Sequence, residues 1–598
     1  MAYEFGKDID SFLYHLIGES PALVGGQGRD GARKELAGRT FAVSQFPILV
    51  QVRTATWDSS ILGFDETSRL GDVVAGFATL EALRELEADP DVVRVDLSRE
   101  AGEEDLAVSV PAVHADRVHV RPNSERGGHA LVGIIDSGLD VLHECLTNEQ
   151  DCSRVVAYWD QRDNTGPPPR GEEGRPLYGT LHADGDIARY LRSGTVPSGL
   201  GRDELGHGTH VTSIAAGRAV GSFSGGLAPD AGIVFVRPKL CASSADPRSV
   251  GFALAHVDAL AFIDRIAEER DLPVVVNLSL GMNAGAHDGS SLLEVALDNF
   301  TSGGRMPGRV LVKSAGNAAR EAAHARFEMA PQQESQLSWS SASIDRDDDV
   351  IELWYDSAAD LTFRLRAPEE GGITPRLHRG KSPSRMSGTL RNGNAFSMTL
   401  DRYHRDNGDT RVSLRLTRGR AARIAEGTWT LDISSGEVLS TGVVHAWVER
   451  RRGAPVRFLD HVESRSSLSI PGTAHAVITV AALDRGMTGR ATSFSSRGAT
   501  RDGRERPDIG APGDGIVAAR SGTRDDVISL PGSSMAAPHV TGAVALLLSR
   551  QHAKSPGAQI NANQVRAALL QSSSGFDGRW SPARGWGKLD VEALLEQF

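Results

Sequence analysis

Four short runs of valine, isoleucine and leucine constrain the fold of this chain more than any other feature. Strands that are buried on both faces are apolar throughout, whereas strands of half-exposed sheets alternate apolar and polar residues. The four runs are of the first kind, and helical patterns separate them, notably over residues 250–269. They read HALVGIIDSG, GIVFVRPKL, PVVVNLSLG and RVLVKSAGN. The pattern predicts an α/β fold, with a parallel sheet and helices on both of its faces.

The chain of 598 residues requires more than one domain, because a single hydrophobic core stops growing at roughly 250–300 residues. Changes in pattern divide it into four regions. We predict a small α/β unit over 1–105, a first part of the main α/β domain over 106–328, an inserted β domain over 329–465, and a second part of the α/β domain over 466–598.

The N-terminal region carries strand and helix signals in alternation. PILVQVRT (47–54) and VVRVDL (92–97) predict two strands. Between them, ATLEALRELEAD places leucines on one face of a helix. Asp89–Pro90 terminates this helix, because proline cannot continue it and restricts the residue before it.

The region 329–465 has a different periodicity. Apolar and polar residues alternate in LTFRLR, RVSLRL, TWTLDI and VVHAWV, and helical periodicity is nearly absent. Asn392–Gly393 predicts a tight turn. We therefore predict an antiparallel β domain, a sandwich or jelly roll, inserted into the α/β domain.

Four polar segments are candidates for chemistry, although each alone has a structural explanation. Asp136 ends the apolar run VGIID, at the sheet edge where open α/β folds place their sites, but it could simply cap a turn. His207 lies between two glycines at a helix start in GHGTHV. His210 follows one turn later, a spacing that could suggest a metal, yet no HExxH pattern is present.

Asn317 and Ser534 complete the set. Asn317 follows a strand in KSAGNAA, where its amide could donate to an anion or could occupy a left-handed turn. Ser534 begins the apolar helix of GSSMAAPHVTGAVALLLS, where backbone N–H groups favour negative charge, or it acts only as a cap. Together, hydroxyl, imidazole, carboxylate and amide are the groups that serine-based peptide hydrolysis needs.

These segments resemble the motifs of the subtilisin-like (S8) serine protease family. VGIIDSG resembles its aspartate motif, GHGTHV its histidine motif, SAGN its oxyanion motif and GSSMAAPHV its serine motif. They occur in the order that subtilisin itself shows. Further matching stretches, such as GLAPDAGIVFVRPK and RPDIGAPG, extend the resemblance over nearly all of 106–328 and 466–598.

The resemblance implies a serine endopeptidase that forms an acyl-enzyme, with a role for each motif residue. Ser534 would be the nucleophile, His207 the general base, and Asp136 the group that orients the imidazole. Asn317 would stabilise the oxyanion. Ser533 stands where the family usually has threonine, and it keeps the hydroxyl.

The resemblance also implies where substrate binds. Ser279, Leu280 and Gly281 match the segment that pairs with extended substrate backbone and borders the specificity pocket. Gly316 is a further residue that the resemblance implies for substrate binding. The implied partner is a protein or peptide substrate.

The N-terminal region resembles the end of the subtilisin propeptide over residues 73–98. This implies that the region is an inhibitory prodomain, and that the chain is a self-processing zymogen cut near residues 98–110. The alternative is a permanently attached N-terminal domain.

The β insertion resembles the jelly-roll insertion of the clostridial spore-germination proteases, which are a branch of the same family. In that branch the insertion rigidifies the catalytic domain. Here it would act either as a structural brace or as a contact for a partner or substrate.

Composition and charge limit the classes of partner, cofactor and location that we expect. A net charge of −12 argues against nucleic acid and anionic membranes. The N-terminal residues lack the uninterrupted apolar stretch of a signal peptide, so we expect a cytoplasmic protein, with leaderless export left open. We predict no metal and no cofactor, because the segment after the histidine helix lacks the oxygen ligands of a calcium loop. A Cys145–Cys152 disulfide remains an alternative to free thiols.

Two other functions remain open. The chain could be a catalytically silent scaffold, although all four catalytic positions are intact. It could also transfer the acyl group to an amine, as a peptide ligase or macrocyclase does.

Overall fold

The computed structural model describes most of the chain. The described residues are 34–36, 39–41, 45–97, 103–104, 113–119, 124–171, 174–221, 223–240, 251–342, 344–378, 383–436, 442–449, 456–485, 488–574 and 578–598.

The described residues of the N-terminal unit form a four-stranded antiparallel sheet and a helix; the strands lie in the order Phe64–Leu70 (β4), Val73–Ala78 (β5), Phe46–Val52 (β3) and Val92–Leu97 (β6). The helix α1 (Leu80–Ala88) begins at Thr79, whose side chain accepts the Ala82 N–H, and ends before Asp89 as the sequence predicts. The strands up to residue 104 are β1 (Lys34–Leu36), β2 (Arg39–Phe41), β3 (Phe46–Val52), β4 (Phe64–Leu70), β5 (Val73–Ala78), β6 (Val92–Leu97) and β7 (Glu103–Glu104).

The first part of the main domain alternates strands and helices. Its strands are β8 (Leu131–Ile135), β9 (Val155–Asp160), β10 (Thr180–Ala183), β11 (Gly232–Arg237), β12 (Val274–Leu278), β13 (Leu280–Gly281) and β14 (Arg309–Ser314). Its helices are α2 (Ala115–Val118), α3 (Asp184–Ser193), α4 (His207–Ala216), α5 (Phe252–Glu269) and α6 (Leu292–Phe300).

The inserted region contains two antiparallel sheets, in the orders β15-β23-β17-β21-β20-β19 and β18-β22-β16-β24. Side chains from both sheets form one buried core, among them Trp339, Leu353, Leu414 and Trp429. Gly393 has a φ of 89° in the turn before β20. The strands are β15 (His324–Glu328), β16 (Glu334–Ser341), β17 (Asp348–Tyr355), β18 (Leu361–Arg366), β19 (Ser384–Thr389), β20 (Ala395–Asp401), β21 (Thr410–Thr417), β22 (Gly427–Ser435), β23 (Val443–Val448) and β24 (Val456–Phe458).

The last part of the chain completes the main sheet. Its strands are β25 (Ile478–Leu483), β26 (Ile509–Pro512), β27 (Ile516–Ala519) and β28 (Val527–Leu530), and its helices are α7 (Ser533–Lys554), α8 (Ala562–Ser572) and α9 (Val591–Leu595).

The main sheet has eight strands in the order β10-β9-β11-β8-β12-β14-β25-β26. Every neighbouring pair is parallel except β10 with β9. Alternate residues of β8 enter two different cores, one with α4 and α7 and the other with α5 and α6. Helices therefore cover both faces, and the α/β fold predicted from the apolar runs is confirmed.

Both described cysteines are free thiols, so the alternative Cys145–Cys152 disulfide is not formed. Cys145 is buried, and burial raises the pKa of its thiol to about 12. Cys152 is exposed. Among the described helices, none is both long and apolar enough to cross a membrane.

A buried carboxylate joins the N-terminal unit to the main domain. Asp258, on α5, accepts hydrogen bonds from the Thr67 hydroxyl at 2.7 Å and from the Tyr178 hydroxyl at 2.8 Å. Thr67 belongs to β4 of the N-terminal unit. Burial raises the pKa of Asp258 from 3.8 to about 6, although these hydrogen bonds oppose the shift. The folded state therefore favours the protonated acid.

The raised pKa of Asp258 predicts a pH dependence of stability. The folded state holds this proton more tightly than the unfolded state does. The contribution of Asp258 to the free energy of unfolding is therefore most favourable below pH 3.8, and it is lost as pH rises through about 6. Asp258→Asn should therefore gain stability relative to the parent by up to about 3 kcal/mol between about pH 4 and pH 7.5. Thermal unfolding at both pH values tests this difference, with the exposed Asp91→Asn as the control. A difference between parent and Asp258→Asn that is independent of pH would contradict it.

Candidate active site

Asp136 and His207 form a buried hydrogen-bonded pair. Asp136 directly follows β8, and His207 is the first residue of α4. His207 Nδ1 lies 2.5 Å from Asp136 Oδ1, which also accepts the Ser137 N–H at 2.8 Å, and neither side chain is exposed. A carboxylate can only accept, so Nδ1 carries the proton and Nε2 is the basic nitrogen of the neutral ring.

A glycine allows the histidine helix to approach the aspartate strand. A Cβ atom on Gly208 would lie 2.1 Å from the Gly138 carbonyl oxygen and 3.1 Å from Asp136 Cβ. Neither atom can move away easily, because one is backbone and the other belongs to the site. The glycine after His207 is therefore a packing requirement of the pair.

Asp203, a residue that was not predicted from the sequence, fixes the turn that leads into α4. Its buried carboxylate accepts the Gly206 N–H at 3.1 Å and, on the other oxygen, the Thr209 N–H at 2.9 Å and hydroxyl at 2.7 Å. Burial raises the pKa of Asp203. An acidic residue just before a helix start is the sequence signal that could have indicated this role.

Ser534 lies in the first turn of α7 and exchanges hydrogen bonds with Ser279, the residue after β12. The Ser534 hydroxyl donates to the Ser279 carbonyl at 3.2 Å, and the Ser279 hydroxyl donates to the Ser534 carbonyl at 2.9 Å. The Asn277 amide donates to the Ser279 hydroxyl at 2.9 Å and accepts from the Thr541 hydroxyl at 3.0 Å. This buried chain of polar groups holds the serine helix against the sheet edge. Asn277 and Thr541 were not predicted from the sequence.

The serine and histidine helices are in close contact. A Cβ atom on Gly542, in α7, would lie 2.6 Å from the Ala215 carbonyl oxygen of α4 and 2.6 Å from Leu227 Cβ. The glycine lets the two helix backbones approach each other.

The Asn317 side chain is held with its amide nitrogen directed away from the Ser533 backbone. Its Oδ1 accepts the Ser533 N–H at 2.9 Å, and a backbone N–H can only face an oxygen, so the NH₂ group is on the other side. The Ser533 hydroxyl accepts the Gly316 N–H at 3.0 Å. The serine that replaces the usual threonine at position 533 thus still anchors the asparagine loop.

The chain's own N-terminal region lies on the predicted substrate strand. β7 pairs with β13 in antiparallel register, with Glu103 opposite Gly281 and Glu104 opposite Leu280. This is strand addition to the segment that the sequence assigns to substrate.

The predicted site residues converge at the carboxyl edge of the sheet. Asp136, Ser279 and Asn317 follow β8, β12 and β14, which are neighbours, and α4 and α7 bring His207 and Ser534 to the same edge. His210 is apart from this group, with Nε2 3.3 Å from the Ile528 carbonyl oxygen and a pKa that burial lowers to about 3. Within the described ranges, no group of three or more His, Cys, Asp or Glu side chains could hold a metal ion.

Comparison with known proteins agrees with this geometry. The sequence profile of the Subtilase family (Peptidase_S8) matches residues 127–343 and 438–587, together more than half of the chain. The chain belongs to the subtilase family. The gap between the two matched parts falls within the inserted β region.

Individual subtilases have low sequence identity to this chain or match only a short part of it. The subtilisin-like protease SBT3.17 of Arabidopsis thaliana is 26% identical over 550 residues, which cover 85% of this chain and 66% of that protein. Serine protease AprX of Bacillus subtilis is 37% identical over 101 residues, 14% of this chain and 23% of that protein. The chain thus spans less than two thirds of the length of either relative.

The structure of the Clostridium perfringens CspB protease has the same fold. It superposes with a TM-score of 0.68 at 22% identity, covering 82% of this chain and 99% of that chain. This confirms the subtilisin-like fold that the resemblance implied.

The contact around Gly208 predicts that Gly208→Ala disturbs the Asp136–His207 pair. The added methyl group cannot fit at 2.1 Å from a backbone oxygen, so α4 must shift. We expect a loss of at least tenfold in kcat/KM on a peptide substrate, since displacements of about 1 Å in an active site cost up to about 10² in rate. The control is Gly185→Ala on α3, where nothing lies within 4 Å of the added atom. Equal activity of the two variants would contradict the packing argument.

Proposed function

We propose that the protein is a serine endopeptidase that cleaves peptide bonds through an acyl-enzyme formed on Ser534. The observation that carries the proposal is the buried Asp136–His207 hydrogen bond of 2.5 Å at the sheet edge that also holds Ser534 and the substrate strand. Family membership supports the same chemistry.

In this mechanism the Ser534 hydroxyl attacks the carbonyl carbon of the scissile bond. His207 Nε2 takes the hydroxyl proton and passes it to the leaving amine, after which water repeats the sequence and releases the acyl group. Asp136 holds the Nδ1 proton, keeps Nε2 basic and stabilises the imidazolium that forms between the two transfers.

Negative charge on the carbonyl oxygen is stabilised by two donors. The Asn317 NH₂ group is one, because its oxygen is fixed by the Ser533 N–H. The Ser534 N–H, in the first turn of a long helix, is the other. Loss of a single oxyanion donor lowers kcat by about 10²–10³, a figure that comes from subtilisin itself.

We further propose that the N-terminal unit is an inhibitory prodomain and that the chain processes itself. Two observations support this. β7 pairs with β13, the predicted substrate strand, which begins directly after Ser279. In addition, the side chains of His207 and Ser534 have no exposed surface. The cut would lie after Glu104, at the end of the pairing with β13 that is nearest Ser279, whose carbonyl oxygen lies 3.2 Å from the Ser534 hydroxyl.

The inserted region would act as a brace for the main domain. The Glu449 carboxylate accepts the Asn283 and Ala284 N–H groups of the main domain at 3.0 and 3.1 Å. The Trp447 ring stacks on His287 with centroids 4.1 Å apart. These buried contacts favour a structural role over a surface for partners.

Intact mass spectrometry of the parent and of Ser534→Ala tests the proposed function. The parent should separate into two fragments with the new terminus shortly after Glu104, while Ser534→Ala remains at full length because it lacks the nucleophile. Ser555→Ala, an exposed serine at the end of the same helix, should process like the parent.

Adding a small amount of parent to Ser534→Ala shows whether cutting also occurs between molecules. Release of peptides from unfolded casein by the parent measures hydrolysis, and an added amine acceptor reveals any ligated product. A Ser534→Ala chain that still splits at the same bond, or a parent that neither splits nor hydrolyses casein, would overturn the proposal.

A further inference from the structure

A loop of the inserted region reaches the N-terminal unit. The loop consists of residues 402–409, between β20 and β21. Its Asp406 carboxylate forms an ion pair with the Arg94 guanidinium on β6. The two side chains are only 9% and 5% exposed, so the ion pair is buried. The inserted region therefore holds the N-terminal unit directly, and not only through the main domain.

The same loop also covers part of a sheet edge. Of the strands that the structure describes, only β3 pairs with β6, so β6 is the edge of the N-terminal sheet. Edge strands present backbone groups without strand partners, and these groups are ready sites for further contacts. The Arg405 guanidinium donates a hydrogen bond to the Val93 carbonyl of this edge. The loop thus recognises both a side chain and the backbone of β6.

The 402–409 loop is fixed to the main domain at its other end. The Asn407 amide donates to the Asp288 carboxylate at 2.7 Å. Arg501, which belongs to the main domain, donates to Asp288 at 2.5 Å and to Asp409 of the loop at 2.5 Å. Residues 405–406 therefore face the N-terminal unit, while residues 407 and 409 face the main domain.

The loop is held in a defined shape by its own backbone. The His404 carbonyl accepts the Asn407 N–H at 3.2 Å and the Gly408 N–H at 2.6 Å, and the His404 N–H donates to the Asp409 carbonyl at 2.7 Å. A surface that is ordered before it binds loses less conformational entropy on binding. The loop can therefore bind the N-terminal unit without first becoming ordered.

Arg94 joins all three parts of the protein. Besides its ion pair with Asp406, its guanidinium donates to the Ser290 carbonyl of the main domain at 3.1 Å. The Ser290 hydroxyl in turn donates to Asp288, the residue that also holds Asn407 of the loop. Release of the N-terminal unit must consequently separate a buried ion pair with the inserted region.

This junction lies beside the predicted substrate strand. Met282, the residue directly after β13, lines a cavity of about 70 Å³ together with Asp406 of the loop and Leu49 of the N-terminal unit. The strand β7 of the chain's own N-terminal region pairs with β13. A contact that keeps the N-terminal unit at this junction therefore keeps it next to the strand on which β7 lies.

We propose that the 402–409 loop is a docking surface for the N-terminal unit, and that the inserted region thereby controls how fast this unit leaves the main domain after the chain is cut. The inference rests on the proposed inhibitory role of the N-terminal unit and assigns the regulation of that role. The inserted region would then have a second role besides that of a brace.

The burial of the ion pair provides the physical reason. Removing one partner of a buried interfacial charge pair leaves the other charge buried, and the cost appears mainly in the rate of dissociation. Asp406→Asn keeps the shape of the side chain but removes its charge, so the Arg94 guanidinium loses this ionic partner. We therefore expect the substitution to accelerate release of the N-terminal unit.

Release can be measured without relying on the chain's own activity. A Ser534→Ala chain carries a recognition sequence for a site-specific protease, inserted after residue 105, and is cut there by that protease. Native mass spectrometry after dilution then follows loss of the N-terminal fragment, at one urea concentration that makes both rates measurable. The fragment should leave Asp406→Asn at least about 30-fold faster than it leaves the chain with Asp406.

Two further variants show whether the ion pair itself is responsible. Asp347→Asn removes an exposed carboxylate of the same inserted region, which pairs with Arg418, and should leave the rate unchanged. In a chain that carries Arg94→Met, Asp406→Asn should change the rate by less than about threefold, because the pair is already lost.

Arg405→Ala keeps the proposal testable if Asp406→Asn does not fold, as shown by its circular dichroism before the cut. This variant removes only the loop's hydrogen bond to the Val93 carbonyl and should accelerate release about three- to tenfold. Release at the parent's rate from the folded variants would overturn the docking surface. The loop would then serve only to fix the inserted region to the main domain, and the peptidase proposal would be unaffected.

The chain with intact Ser534 tests the regulatory consequence. After self-processing, hydrolysis of casein should begin earlier in Asp406→Asn than in the parent. Faster release without an earlier onset in an active chain would overturn control of inhibition by the loop. Faster release in a chain that never hydrolyses casein would support the docking surface and overturn the peptidase function instead.

Discussion

The reciprocal hydrogen bonds between Ser534 and Ser279 are the constraint on which the site depends. They join the start of the serine helix to the strand that the sequence assigns to substrate, so the proposed nucleophile and the scissile bond would be placed by the same contact. Asn277 and Thr541 extend this contact into the core, where a polar group without a partner is costly to bury. A helix anchored at two points along its length cannot rotate Ser534 away from the strand.

The rest of the architecture surrounds this anchor. Parallel strands bring Asp136 and Asn317 to the same edge, and the close contact at Gly542 sets the histidine helix beside the serine helix. The N-terminal unit and the inserted region dock on the same domain through buried polar groups, at Asp258 and at Glu449 respectively. Both attachments join elements remote in sequence, so they stabilise the domain that carries the site without supplying the catalytic groups.

Much of the fold could be predicted because its signals are local. The apolar runs before Asp136 and Asn317 identify buried strands, and the glycines around His207 identify a helix start. Other residues could not be found in this way. Thr541 and Asn277 are 264 positions apart, and Arg94 and Asp406 are 312 apart, so only the folded chain shows that they meet. The pairing of β7 escaped prediction because a two-residue acidic strand has no periodicity to detect.

The proposed mechanism requires that His207, oriented by Asp136, activates Ser534 as a nucleophile. The most direct test is the rate of labelling by a fluorophosphonate, with the modified residue located by peptide mapping. We expect labelling of Ser534 in the parent, and a labelling rate at least about 10³-fold lower in His207→Ala, because no base then accepts the hydroxyl proton. Labelling of a different serine, or an unchanged rate in folded His207→Ala, would contradict it.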